Sequence, residues 1–123
     1  MYSVTIRDHI MIAHSLNNEA FGPASNLHGA TYIVDVTFFS ETLTESNIVL
    51  DIGLAQQVLH DCLQPLRYKN LDEVPEFKHQ LTTTEFLAHH IHNSVKEAVK
   101  IVFQGKVKVV LGESHVAWAS YES

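Results

Sequence analysis

A chain of 123 residues with 46% apolar content is sized for one domain, residues 1–123, around a modest core. Its net charge of -6, from 14 acidic against 8 basic residues, argues against the basic surface that nucleic-acid binding needs. No apolar run approaches the ~20 residues of a membrane helix, the N-terminus lacks a basic segment followed by an apolar one, and the lone Cys62 rules out an internal disulfide framework, so a cytoplasmic protein is expected.

Tyr2 to His14 predicts the first strand. Val4, Ile6, Ile10 and Ile12 share one alternating face, Arg7 falls on the other, and Asp8 breaks the pattern. Asn17 to Leu27, with Gly22 and Pro23, reads as a loop. Tyr32 to Ser40 predicts a second strand, apolar enough on both faces to be covered on both sides. Together they predict a long hairpin with a wide loop. Two strands so joined could bring together His14, which ends the first, and His28, which precedes the second. Glu41 to Asn47 is a polar turn, and Ile48 to Leu50 a short extended run.

Asp51 stands where a helix N-cap belongs, and Leu54, Val58, Leu59, Cys62 and Leu66 follow at helical spacing until Pro65 ends the pattern. Cys62 lies on that apolar stripe and reads as a buried structural thiol. Arg67 to Leu81 is a polar connection without a clear period, and Asp72 and Glu73 on it read as solvated. Thr82 and Glu85 have the spacing of a capping box. Phe86, Leu87, Ile91, Val95, Val99 and Val102 continue as an amphipathic helix with Gly105 as its stop. His89, His90 and His92 lie well inside that helix and read as a solvated or partly buried face rather than a metal site. Lys106 to Leu111 and Val116 to Tyr121 predict the last two strands.

The order is β-β-α-α-β-β, an α+β fold with a four-stranded antiparallel sheet and both helices on one face. Its outer strands would be open edges. Val36, Phe38 and Val109 are apolar enough to invite pairing with another subunit.

Five segments, in order, carry a family resemblance. They are Ile12-Ala13-His14, Leu27-His28-Gly29-Ala30, Val49-Leu50-Asp51-Ile52, Thr83-Thr84-Glu85 and Leu111-Gly112-Glu113-Ser114, with Tyr121 near the end. With this set the chain resembles the 6-pyruvoyl-tetrahydropterin synthase and 6-carboxytetrahydropterin synthase family over nearly its whole length. The resemblance implies the tunnelling fold, in which subunits join into a multi-subunit β-barrel, here a homo-oligomer and by the family pattern a hexamer. It implies a pterin site anchored by Glu113, whose carboxylate can accept two N–H groups of a 2-amino-4-oxo heterocycle, with Thr83 and Thr84 at a helix N-terminus beside it. It also implies a zinc-dependent lyase, with Zn²⁺ held by three His, two of them at His14 and His28.

The departures fall on the chemistry. The third zinc position is Ala30, the catalytic Cys position is Ala24, and the catalytic Asp-His pair is replaced by Arg67 and Tyr68. Two imidazoles hold Zn²⁺ weakly, and His9, Glu19 or His115 would have to supply a third ligand. His115 and Glu113 would share one strand face.

Three readings follow from these residues. The first is a protein that binds a pterin or purine-like heterocycle and has lost the chemistry. The second is a lyase acting on 7,8-dihydroneopterin triphosphate with altered chemistry, Arg67 and Lys69 meeting the phosphates and Tyr68 serving as acid. The third is a structural subunit without ligand. Pterin synthesis and queuosine-type deazapurine synthesis share this framework, and the departures separate the chain from both.

Overall fold

The computed structural model describes residues 1–123. Strand β1 is Tyr2–His14 and β2 is His28–Ser40. Helix α1 is Ile52–Leu63 and α2 is Thr84–Val99. Strands β3, Val107–Gly112, and β4, Trp118–Glu122, close the order. The sheet is antiparallel throughout and runs β1-β2-β3-β4, so the expected four-stranded architecture is present.

Alternation decides which face is covered. Ile6, Ile10, Ile12 and His14 of β1 are buried, as are Tyr32, Val34, Val36 and Phe38 of β2 and Val107, Val109 and Leu111 of β3. Successive side chains point to opposite faces, so these residues form one apolar surface. Helix α1 packs on β1, and α2 packs on β3 and β4, both over that surface. The opposite face carries a cross-strand ion pair, Arg7 Nε to Asp35 Oδ1 at 2.7 Å, and the Thr5–Thr37 hydroxyl contact at 2.7 Å. Ile33 is 41% exposed there, so the cover expected on both faces of β2 is absent within one chain.

Strand β2 begins at His28, four residues before the expected Tyr32. Nothing between them interrupts the ladder, and β1 supplies partners through Ile12↔Ala30, Ala13↔Gly29 and His14↔His28. The loop between the strands contains a 3-10 stretch, Glu19–Ser25, opened by Asn18, whose side chain accepts from the Ala20 N–H. Gly22 in that stretch has φ 56°, a conformation glycine adopts without Cβ strain. Ile48 to Leu50 is not a strand, because all four strands pair without it. Leu50 instead enters the core.

Asp51 caps α1 as expected, accepting from the Leu54 N–H at 2.7 Å. The buried stripe is Ala55, Leu59 and Leu63, and Leu54 is left exposed one position out of phase. At α2 the cap is Thr83, which accepts from the Phe86 N–H at 3.1 Å, and not Thr82. Thr82 is drawn away by His14. Helix α2 ends at Val99, and Gly105 is not its stop, because its φ is not positive. Gly105 serves a close approach: a Cβ there would overlap the Phe39 carbonyl oxygen and the Phe103 ring.

Val36, Phe38 and Val109 are fully buried on the two central strands, so they cannot be the edge that invites another subunit. The edges belong to β1 and β4. The connection after α1 covers part of the β1 edge, with Tyr68 N–H donating to the Met11 carbonyl at 2.7 Å and Ala13 N–H to the Lys69 carbonyl at 2.9 Å. That connection is more ordered than its composition predicts. It holds two short 3-10 turns, Leu71–Glu73 and Pro75–Phe77, each burying one apolar residue, Leu71 and Phe77. No helix is long and apolar enough to cross a membrane.

Candidate functional site

The site begins with a strand register. His14 ends β1 and His28 starts β2, and antiparallel pairing sets them opposite each other. Their rings meet edge to face with centroids 4.6 Å apart. His28 Nδ1 lies 2.8 Å from the Asn26 carbonyl oxygen. A carbonyl only accepts, so Nδ1 is the donor in this contact. His14 is 2% exposed, with Nδ1 3.0 Å from the Thr82 hydroxyl. Burial first, and the adjacent His28 second, hold the His14 imidazole below its ordinary range, while Thr82, Asp72 and Glu113 pull the other way.

Glu113 follows the last residue of β3, where a tight loop directs it back toward the helices. Its N–H and that of Ser114 both donate to the Ala117 carbonyl, at 3.1 and 3.3 Å. The buried Thr84, in the first turn of α2, donates its hydroxyl to Glu113 Oε2 at 3.3 Å. This contact leaves the rest of the carboxylate open to solvent. Thr83 beside it is occupied as the helix cap, so of the two threonines only Thr84 reaches Glu113. Tyr32, 1% exposed on β2, completes the wall. Burial pushes its phenol up to about 12, with the Thr84 hydroxyl offsetting part of that shift.

Sequence reasoning missed Tyr32, Thr82, Ser15 and Asp72. Asp72 is not simply solvated: it accepts the Ser15 N–H at 3.0 and 3.1 Å and the Ser15 hydroxyl at 2.6 Å. It thereby clamps the end of β1 next to His14. Tyr32 was legible in principle, since it lies four residues after His28 on one strand and shares its face. No local signal points to the Asp72 contact, which spans 57 residues.

The remaining expected positions lie apart. Ala24 is half-buried and its carbonyl accepts from the Leu16 N–H at 3.0 Å. Ala30 pairs with Ile12 and packs against the core. Arg67 donates to the His9 carbonyl at 2.8 Å and reaches Asp8 at 3.3 Å and Gln64 at 2.9 Å. Asp8 is six strand residues from His14, so the guanidinium stands roughly 20 Å from the imidazole pair. Tyr68 is 75% exposed with φ 57°. Neither residue enters the site of its own chain.

No group of three His, Cys, Asp or Glu side chains converges anywhere, so His9, Glu19 and His115 do not join His14 and His28. Two imidazoles do not fit the three protein ligands of a catalytic zinc. On α2, His92 and His89 pack against Tyr121 and His90 against Phe77; His89 is exposed and His90 half-buried, as read from the sequence, whereas His92 is buried. Cys62 is half-buried, and burial raises its thiol, consistent with a structural role.

An antiparallel four-stranded sheet backed by two helices, with an imidazole pair and a carboxylate at one end, defines a tunnelling-fold protein. The family model for 6-pyruvoyl tetrahydropterin synthase matches residues 3–123, and the chain belongs to that family. It is 30% identical to the 6-pyruvoyl tetrahydrobiopterin synthase of Homo sapiens over 104 residues, covering 81% of this chain and 72% of that one. It is 28% identical to the 6-carboxy-5,6,7,8-tetrahydropterin synthase of Bacillus subtilis over 89 residues, 72% of this chain but only 61% of that relative's length. The 6-pyruvoyl tetrahydropterin synthase structure from Caenorhabditis elegans superposes with a TM-score of 0.83 at 26% identity, covering 100% of this chain and 97% of the other. That from Plasmodium vivax superposes with a TM-score of 0.82 at 14% identity, covering 99% and 97%, a likeness of fold.

Proposed function

We propose that this protein binds a pterin or purine-like heterocycle and no longer performs the lyase reaction of its relatives. The observation that carries this reading is the Thr84–Glu113 contact at 3.3 Å, within the field of the His14–His28 pair. A carboxylate held from one side keeps its other lone pairs for two parallel N–H groups. That is the fork a 2-amino-4-oxo ring presents.

The lost chemistry follows from Ala24, Ala30, Arg67 and Tyr68, which stand where the family resemblance calls for a Cys, a zinc-binding His and an Asp-His pair. General acid–base groups contribute typically ~10²–10⁴-fold each, so their joint loss leaves little rate. Ring recognition by Glu113 needs none of them. Zn²⁺, with two imidazoles to hold it, binds weakly in this reading. The working form is a cytoplasmic homo-oligomer, a hexamer by the family pattern, with the Glu113 site at a subunit boundary.

Calorimetry with dihydroneopterin, sepiapterin and guanine derivatives tests the reading. At least one should bind, and Glu113→Ala should abolish that binding. Incubation with dihydroneopterin triphosphate and added Zn²⁺ should release no triphosphate above a blank. Turnover, or binding indifferent to Glu113→Ala, would overturn it.

A further inference from the structure

Glu113 is exposed, and so are all the residues of its loop, 113–117, the apolar Val116 among them. Small-molecule sites bury most of their ligand. A heterocycle held by Glu113 in one chain would keep much of its surface in water. The site lacks a wall.

The two sheet edges show where a wall can come from. On β1 the odd-numbered residues turn their backbone groups outward. From His9 onward the chain covers this edge itself. The His9 N–H donates to Asp8 Oδ1 at 2.7 Å, and its carbonyl accepts from Arg67 at 2.8 Å. The Met11 carbonyl accepts from the Tyr68 N–H, and the Ala13 N–H donates to the Lys69 carbonyl. The run Ser3, Thr5 and Arg7 is left open. On β4, Val107 and Ser123 exchange both backbone hydrogen bonds, which turns the odd residues toward β3. Trp118, Ser120 and Glu122 therefore face outward, also a run of three.

Paired antiparallel, the two runs use all their groups in one register. Ser3 meets Glu122 of the partner subunit, Thr5 the partner's Ser120, and Arg7 the partner's Trp118. These side chains all stand on the sheet face away from the helices. There a serine hydroxyl can donate to a carboxylate, two hydroxyls meet, and a guanidinium lies against an indole. Continued past Arg7, the same register sets the covered part of the β1 edge alongside the 113–117 loop of the second copy. Tyr68, held to Met11, then stands level with Ser114 of the partner subunit, beside that copy's carboxylate. Tyr68 is 75% exposed with φ 57°, a conformation uncommon for a bulky side chain.

We infer that Tyr68 of the partner subunit forms the missing wall of the Glu113 site and stacks its ring on the bound heterocycle. The inference rests on the heterocycle reading above and adds a residue which that reading leaves unused.

The test is calorimetry on the assembled protein with dihydroneopterin, sepiapterin and guanine as probes. Stacking of an aromatic side chain on a planar base sets the scale. Tyr68→Ala should weaken binding about tenfold, whereas Tyr68→Phe keeps the ring and should bind within about twofold of the unmodified protein. Co-expression of Tyr68→Ala and Glu113→Ala chains then separates a wall given by a partner from one within the chain. Neither variant alone has a complete site. In mixed assemblies about a quarter of the sites join an intact Glu113 to an intact Tyr68 of the partner subunit, and these should bind with the unmodified affinity. Undiminished binding by Tyr68→Ala, or mixed assemblies without restored sites, overturns the inference and leaves the heterocycle reading standing. Failure of the unmodified protein to bind any of the three probes overturns both.

Discussion

His14 joins the fold's stability to its candidate chemistry. Its folded pKa lies below the ordinary value because of burial first and His28 second, and burial likewise lowers His90. The unfolded chain therefore takes up these protons before the folded one does as pH falls. Stability is complete above the unfolded value of about 6.5 and is lost as pH drops from there through the lower folded values. Melting curves between about pH 8 and pH 5 should show the midpoint falling toward acid, with a shallower fall in His14→Gln. A flat profile for the unmodified protein would contradict this. Arg67 has a structural task. With its side chain 18% exposed, it ties the connection after α1 to Asp8 and to the His9 carbonyl. Arg67→Asp would set a second carboxylate against Asp8. The expected cost is about 1–3 kcal/mol, read by urea denaturation, with no gain in lyase activity.

At the scale of elements, caps and register share the work of placing the site. Thr83 caps α2, which leaves Thr84 free to reach Glu113 and Thr82 free to reach His14. Three consecutive threonines thus have three different partners. Thr83→Ala should cost about 0.5–2 kcal/mol by thermal or chemical denaturation, while Thr83→Ser should cost much less. Equal losses in the two variants would mean that the methyl group matters and the cap does not. The β1–β2 register has a similarly sharp consequence. A slip of one residue would turn His14 and Tyr32 onto the opposite face, and the buried set from Ile6 to Phe38 excludes that slip.

The whole molecule leaves one face of its sheet bare. Ile33, Met11 and Trp118 are exposed on it, at 41%, 49% and 66%. Ile33 and Trp118 flank a hollow of about 470 Å³ that also holds the Arg7–Asp35 pair. A single chain has nothing to cover this surface, and the β4 edge beside it is open. Those two features are the ground for predicting that copies associate through edges and faces. Light scattering at micromolar concentration should find an oligomer, by the family pattern a hexamer. Trp118→Glu should weaken that assembly without unfolding the subunit, since the residue lies outside the core. A stable monomer of the unmodified chain would refute the expectation.

The order and type of the elements, the Asp51 cap, the apolar stripe of α2 and the meeting of His14 with His28 were all legible in the amino-acid sequence. Each depends on spacing, turn residues or a single hairpin, which act over short stretches of chain. Glu113 and the run of threonines were legible as motifs. The tertiary structure alone decided which threonine caps and which one bonds His14, a choice made by a partner 68 residues away. It alone sent Arg67 to Asp8, a distance of 59 residues, and Asp72 to Ser15, a distance of 57. It also moved Val36, Phe38 and Val109 from a supposed edge into the centre, because strand order is set by how four strands share one apolar face. Such contacts join residues whose separation along the chain carries no periodic signal, and only the packed fold brings them together.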